Sequence, residues 1–304
     1  MSLSSATQSA VISLKNQTSH FNKFKLIFLI VMVLLVLFVM LWPRDNVYSI
    51  TGDTEAITIV FSEDAINQWN ISGAIYNNGF PDENNKSDWL PEDSYFFPNK
   101  DTTARVSIIK ALDRSNELLI IFTSSGTSAG YIESSEGSIE LLDYVEIKLP
   151  IEKASLLAFE GETHIGEDVG QGVDKILLSG EVRIVERQLF RDKKYIAGDY
   201  LLDSGDRLTL YKDDSLKNNS NMKGFLRISD KTSFDFTVHG EGEVLMVFRL
   251  GSADYQITPS KWSRITKDPI IAAITTILAT VFLLMEFLDL LLRFALKPKD
   301  NETE

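Results

Sequence analysis

Few residues in this chain have both the type and the spacing that catalysis needs. Gly126-Thr127-Ser128-Ala129-Gly130 matches the G-x-S-x-G pattern of a nucleophile elbow, and a strand precedes it. An elbow requires a helix directly after the serine and an α/β sheet around it. Tyr131 to Ile147 instead reads as further strand, so the match is read as a Gly/Ser hairpin turn. Ser107 and Lys110 satisfy S-x-x-K, but on an alternating strand residues three apart face opposite ways, which is poor geometry for a dyad. The chain has three histidines and no cysteine. A thiolate nucleophile, a thiolate metal site and a disulfide framework are thereby excluded. His20 falls in the N-terminal tail, and His239 alternates with Phe236 and Val238 so as to share the polar face of Asp235 and Thr237. No second ligand is spaced near either His164 or His239.

Two loops resemble ligand sites and fail on inspection. Asp82, Asn84 and Asp88 begin an EF-hand-like series, but Lys86 takes the third alternate position and the glycine that should follow is missing. Gly161 to Gly172 is glycine-rich like a phosphate cradle, yet it carries Glu162, Glu167 and Asp168, and no Gly-Lys-Ser/Thr follows. The expectation is a non-enzymatic chain with no catalytic residue, no metal ligands and no cofactor.

What remains is chemistry of association. Asn77 to Thr103 is long and acidic, with Pro81, Pro91 and Pro98 and four aromatics, Trp89, Tyr95, Phe96 and Phe97. Loops of this length often bind partners, so these aromatics are candidate contacts; the alternative is that they cap the domain core. A second group is intramembrane: Thr276, Thr280, Glu286, Asp289 and Arg293 lie on a strongly apolar segment. Carboxylates inside a bilayer are costly and suggest a role in docking or an ion path. At 1.5 Å per residue, though, Glu286 lies roughly 25 Å along a helix opening at Pro269, close to the far interface, where Asp289 could pair with Arg293.

The elements that carry these residues are of two kinds. Leu26 to Trp42 is an unbroken apolar run at the short end of membrane-spanning length, and Pro43-Arg44-Asp45-Asn46 after it offers no small-residue cleavage site. Pro269 to Leu292 is a second apolar run, with proline placed to open a helix. Lys15, Lys23 and Lys25 precede the first run with no acidic residue among them, so the positive-inside rule places the N-terminus in the cytoplasm. Trp42 and Trp262 then reach the same outer interface.

Between the runs, hydrophobicity alternates with period two. Ile57, Ile59 and Phe61 share a face, as do Leu208 and Leu210, then Phe234, Phe236 and Val238, then Val244, Met246, Phe248 and Leu250. The reading is a membrane protein with two transmembrane helices and an intervening all-β extracytoplasmic domain, organised as a sandwich, jelly roll or barrel. Its segments are 1–25 as a cytoplasmic tail, 26–42 as helix 1, 43–150 and 151–268 as two β modules, 269–292 as helix 2 and 293–304 as a second cytoplasmic tail. One long sandwich fits the middle region nearly as well.

The net charge of −13 disfavours a nucleic-acid partner, which would need a basic face. The expected partners are the lipid bilayer and other membrane or envelope proteins, in a homo- or hetero-oligomer. A bacterial inner membrane is the expected location, since a cysteine-free ectodomain suits that envelope. The expected role is an accessory or scaffold subunit of an envelope complex. Self-assembling pores and lipid or glycan carriers are the rivals.

Overall fold

The computed structural model describes residues 23, 25–39, 41–42, 46–62, 67–80, 87–111, 116–154, 156–166, 175–188, 190–228, 232–249 and 253–295. The chain divides into two compact units, one of helices and one of strands.

All described strand pairs of the β unit are antiparallel, both hairpin neighbours such as β7–β8 and strands far apart in the chain such as β1–β13. Nineteen strands are described. Those of the larger sheet that carry the argument are β1 (Asn46–Thr54), β2 (Ala56–Phe61), β4 (Ile75–Asn78), β5 (Asp88–Trp89), β7 (Thr103–Lys110), β8 (Asn116–Thr123), β11 (Tyr144–Pro150), β12 (Leu157–Ile165), β13 (Leu177–Arg187), β14 (Lys194–Leu202), β15 (Asp206–Tyr211), β16 (Asn221–Ile228), β17 (Phe234–Glu241), β18 (Val244–Arg249) and β19 (Tyr255–Ile257). They run in the order β14-β13-β1-β17-β16-β12-β2-β7-β8-β11-β4-β5. The sheet forks at β12: Leu157 to Glu162 pair with β16, whereas His164 and Ile165 pair with β15, which leads on to β18 and β19. The path is open, with edges at β14 and β5, and the unit is not a barrel.

A smaller sheet, in the order β10-β9-β6-β3, consists of β3 (Trp69–Asn70), β6 (Tyr95–Pro98), β9 (Gly130–Ser134) and β10 (Gly137–Glu140). It packs on the larger sheet in sandwich fashion. Trp69 and Phe96 from the small sheet meet Phe61 and Phe122 from the large one, with ring centroids 4.0–6.5 Å apart. The Trp69 indole N–H donates to the Ala158 carbonyl of β12 at 2.7 Å, so this buried ring keeps no idle polar atom. One continuous hydrophobic core runs from Ile71 and Leu90 to Leu208 and Val247.

Alternation predicts most of the buried faces. Ile57, Ile59, Phe61, Leu208, Leu210, Phe234, Phe236 and Val238 are all buried. In β18 the phase differs from the sequence reading. Val244 is buried as expected, but Leu245 and Val247 hold the inner positions and Met246 and Phe248 lie half exposed. The segment VLMVF is apolar on both faces, so period two alone gives no phase; pairing of Leu245 with Ile257 and of Leu208 with Val247 sets it.

The helical unit holds α1 (Lys25–Val39), α2 (Lys261–Lys267) and α3 (Pro269–Ala295). Asp268 caps α3, with its carboxylate accepting from the Ile270 amide at 3.0 Å, and Pro269 takes the first helical position. α3 is long and apolar enough to cross a membrane; the described part of α1 is apolar but shorter than a full span. The tails, 1–25 and 293–304, lie outside the described residues apart from Lys23, Lys25 and the last turn of α3.

Candidate functional site

Three arrangements bear on function. The first is in the helical unit. Lys25, at the start of α1, places its Nζ 3.0 Å from Glu286 Oε1 and 3.0 Å from Asp289 Oδ2 of α3. Asp289 is buried, and a carboxylate withdrawn from water demands a cation partner. Fourteen residues along α1, Val39 packs against Ile271, fifteen residues before Glu286 on α3. At 1.5 Å per residue these intervals are about 21 Å and about 23 Å, so the two helices meet at both ends in antiparallel register. Arg264 of α2 adds a third tie, donating to the Trp42 carbonyl at 3.1 Å. Spacing along α3 shows that Asp289 could pair with Arg293; the structure shows Lys25, 264 residues away in the chain, as a partner of Asp289. The Arg293 side chain lies outside the described residues.

The threonines of α3 are occupied locally. Thr276 donates to the Ala272 carbonyl at 2.7 Å, and Thr280 to the Thr276 carbonyl at 2.9 Å. Such back-bonds satisfy hydroxyl protons without a neighbouring helix.

The second arrangement brings together the two ends of the β unit. Tyr48, fully buried on β1, directs its hydroxyl between the Glu243 carbonyl at 2.8 Å and the Ile257 carbonyl at 3.1 Å. Burial raises the Tyr48 pKa well above its ordinary value, so it stays a protonated donor. The chain therefore enters and leaves this unit at the same end. A half-open cavity of about 650 Å³ lies there, lined among others by Asn46, Lys194, Lys212, Lys223, His239 and Glu241. Lys223 is engaged by Glu160 at 2.8 Å, while Lys194 and Lys212 have no ion-pair partner among the described residues. Glu241 and Glu243 of the lining and the Glu160 carboxylate on Lys223 stand against the three lysines, so the surface is of mixed charge.

The third is the aromatic stretch, which the structure divides. Phe96 is fully buried against Phe122, and Phe97 stacks on Tyr131 with centroids 4.9 Å apart. Trp89 is 70 % exposed on edge strand β5, Tyr95 is more modestly exposed, and Phe80 lies in the open, stacked on Tyr144 at 4.4 Å. Phe80 was not singled out from sequence; its place beside the turn signal Asn77-Asn78-Gly79 was the available cue. Residues 81–86, including Asp82 and Asn84, lie outside the described residues.

The residues first weighed for catalysis have local roles. Ser128 accepts from the Gly130 amide at 3.2 Å and donates to the Gly130 carbonyl at 3.1 Å, in a turn that leads into β9. Ser107 is buried and Lys110 exposed on β7. His164 Nδ1 lies 2.9 Å from Thr209 Oγ1, and His239 is exposed on β17. Of the glycine-rich segment, Gly161 to Ile165 belongs to β12, and 167–172 lies outside the described residues.

Together these features define a membrane-associated protein: a large extramembrane β domain joined to a helix long enough to cross a bilayer. No known protein family, curated protein or solved structure matches the chain.

Proposed function

We propose that the chain is a two-helix, membrane-anchored accessory or scaffold subunit of a cell-envelope complex, with both tails cytoplasmic and the β domain outside the inner membrane. The observation that carries this reading is the contact of Lys25 with Glu286 and Asp289. It supports α1 as a second span, because it matches the near end of α1 to the far end of α3. Leu26, Ile27, Ile30, Leu34 and Phe38 expose about half or more of their surface on α1, as do Ile277, Leu283, Leu284 and Phe287 on α3. Side chains of that kind belong against lipid or against other helices.

The β domain's polypeptide contact is assigned to the exposed rings of Phe80 and Trp89, which flank an acidic stretch of the sequence. The test is recovery of the tagged protein from its native membranes in gentle detergent, with mass determination of the intact complex. Stoichiometric foreign subunits, lost in a Phe80→Ser/Trp89→Ser variant that still inserts and folds, support the scaffold. A homo-oligomer alone turns the reading to a self-assembling pore.

A further inference from the structure

From the β13–β14 connection we infer an interfacial membrane anchor, in which Phe190 enters the headgroup–acyl boundary and Arg191, Lys193 and Lys194 take phosphates of anionic phospholipids. This rests on the anchored reading above and adds a specific lipid contact to it.

Four observations converge. Phe190 is 80 % exposed, among the most exposed large apolar side chains of the described residues. It stands at φ +63°, in the left-handed region that bulky side chains seldom occupy. A turn that holds an aromatic ring outward at such a backbone cost points to a use for the ring. Its surroundings are basic in an acidic protein: Arg187, Arg191, Lys193 and Lys194 stand against Asp192 alone between 187 and 194. An apolar tip on a cationic collar is the pattern that binds an anionic interface.

Topology supplies the direction. β13 runs antiparallel to β1, with Glu186 opposite Asn46, the first residue of β1. The connection therefore lies beyond the start of β1. Three residues separate Trp42 from Asn46 in the sequence, so the two lie within about 14 Å of each other along the chain. Residues 188–193 also group with the helices as one compact unit, apart from the strands they join.

The absence of native cysteine permits a clean test on the full-length chain. Phe190→Cys, Leu201→Cys and Ile277→Cys are each labelled with an environment-sensitive fluorophore and reconstituted in nanodiscs of phosphatidylcholine and phosphatidylglycerol containing a nitroxide lipid. Leu201 is equally exposed but lies about 23 Å further along β14. The expected result is strong quenching at 277, loss of most emission at 190 and little change at 201. Quenching at 190 should fall in Arg191→Gln/Lys193→Gln/Lys194→Gln and in discs of phosphatidylcholine alone. Emission at 190 matching that at 201, with 277 quenched, overturns the anchor while leaving the membrane helix intact. An unquenched label at 277 overturns the anchored reading itself, and this inference with it.

Discussion

The hydroxyl of Tyr48 and the carbonyl of Ile257 lie 3.1 Å apart across 209 residues of chain, closing the β unit where it begins and ends. This closure brings the two ends of the β unit's chain together at one end of the unit. It makes a sharp stability prediction. Tyr48→Phe keeps the ring and removes the one proton that the Glu243 and Ile257 carbonyls share, which should cost about 1–3 kcal/mol in urea unfolding of the detergent-solubilised protein. An unchanged midpoint would show that water replaces the hydroxyl.

The helical contact is testable by cross-linking. Val39→Cys/Ile271→Cys in the cysteine-free chain should cross-link within one molecule under mild oxidation or with a short bifunctional maleimide. Lys25→Glu should reduce the yield by setting three carboxylates together, and Glu286→Lys/Asp289→Lys in the same chain should restore it. No rescue would mean that apolar packing alone holds the pair.

His164 makes stability depend on pH. Burial holds its imidazole below the ordinary value of 6.5, so the fold favours the neutral ring. On acidification the unfolded chain takes up the proton first; the stabilisation is complete above pH 6.5 and is lost as pH falls below it toward the folded-state value. Urea midpoints should drop between neutral pH and pH 5, and His164→Gln should flatten that part of the profile. Parallel profiles for the two proteins would assign the acid sensitivity to other groups.

The aromatics of the 77–103 stretch should separate into two classes. Phe96→Ala removes a ring packed at 4.0 Å from Phe122 and should cost about 3–5 kcal/mol. Trp89→Ala should change stability by less than about 0.5 kcal/mol, since the ring is exposed. If Trp89→Ala instead unfolds the domain, β5 is part of its core and not a free edge.

Much of the architecture was legible in the chain itself. Two apolar runs, a cysteine-free middle and period-two alternation follow from local composition, because burial writes a repeat of one side chain in two on any half-buried strand. Ile57, Ile59 and Phe61 could be placed on an inner face for that reason, and Pro269 at the start of a helix. Non-local pairing could not be read. The return of β1 to pair with β13 and β17, the fork at β12 and the phase of β18 depend on partners distant in the chain or on strands apolar on both faces. The same reason divides Phe96 from Trp89, identical in aromatic character and seven residues apart, one sealed between sheets and the other on an edge. Packing likewise brings Lys25 to Asp289 from the other end of the chain: sequence spacing shows which charges could meet within a helix, and only the packing of two helices shows which distant charge lies beside a buried carboxylate.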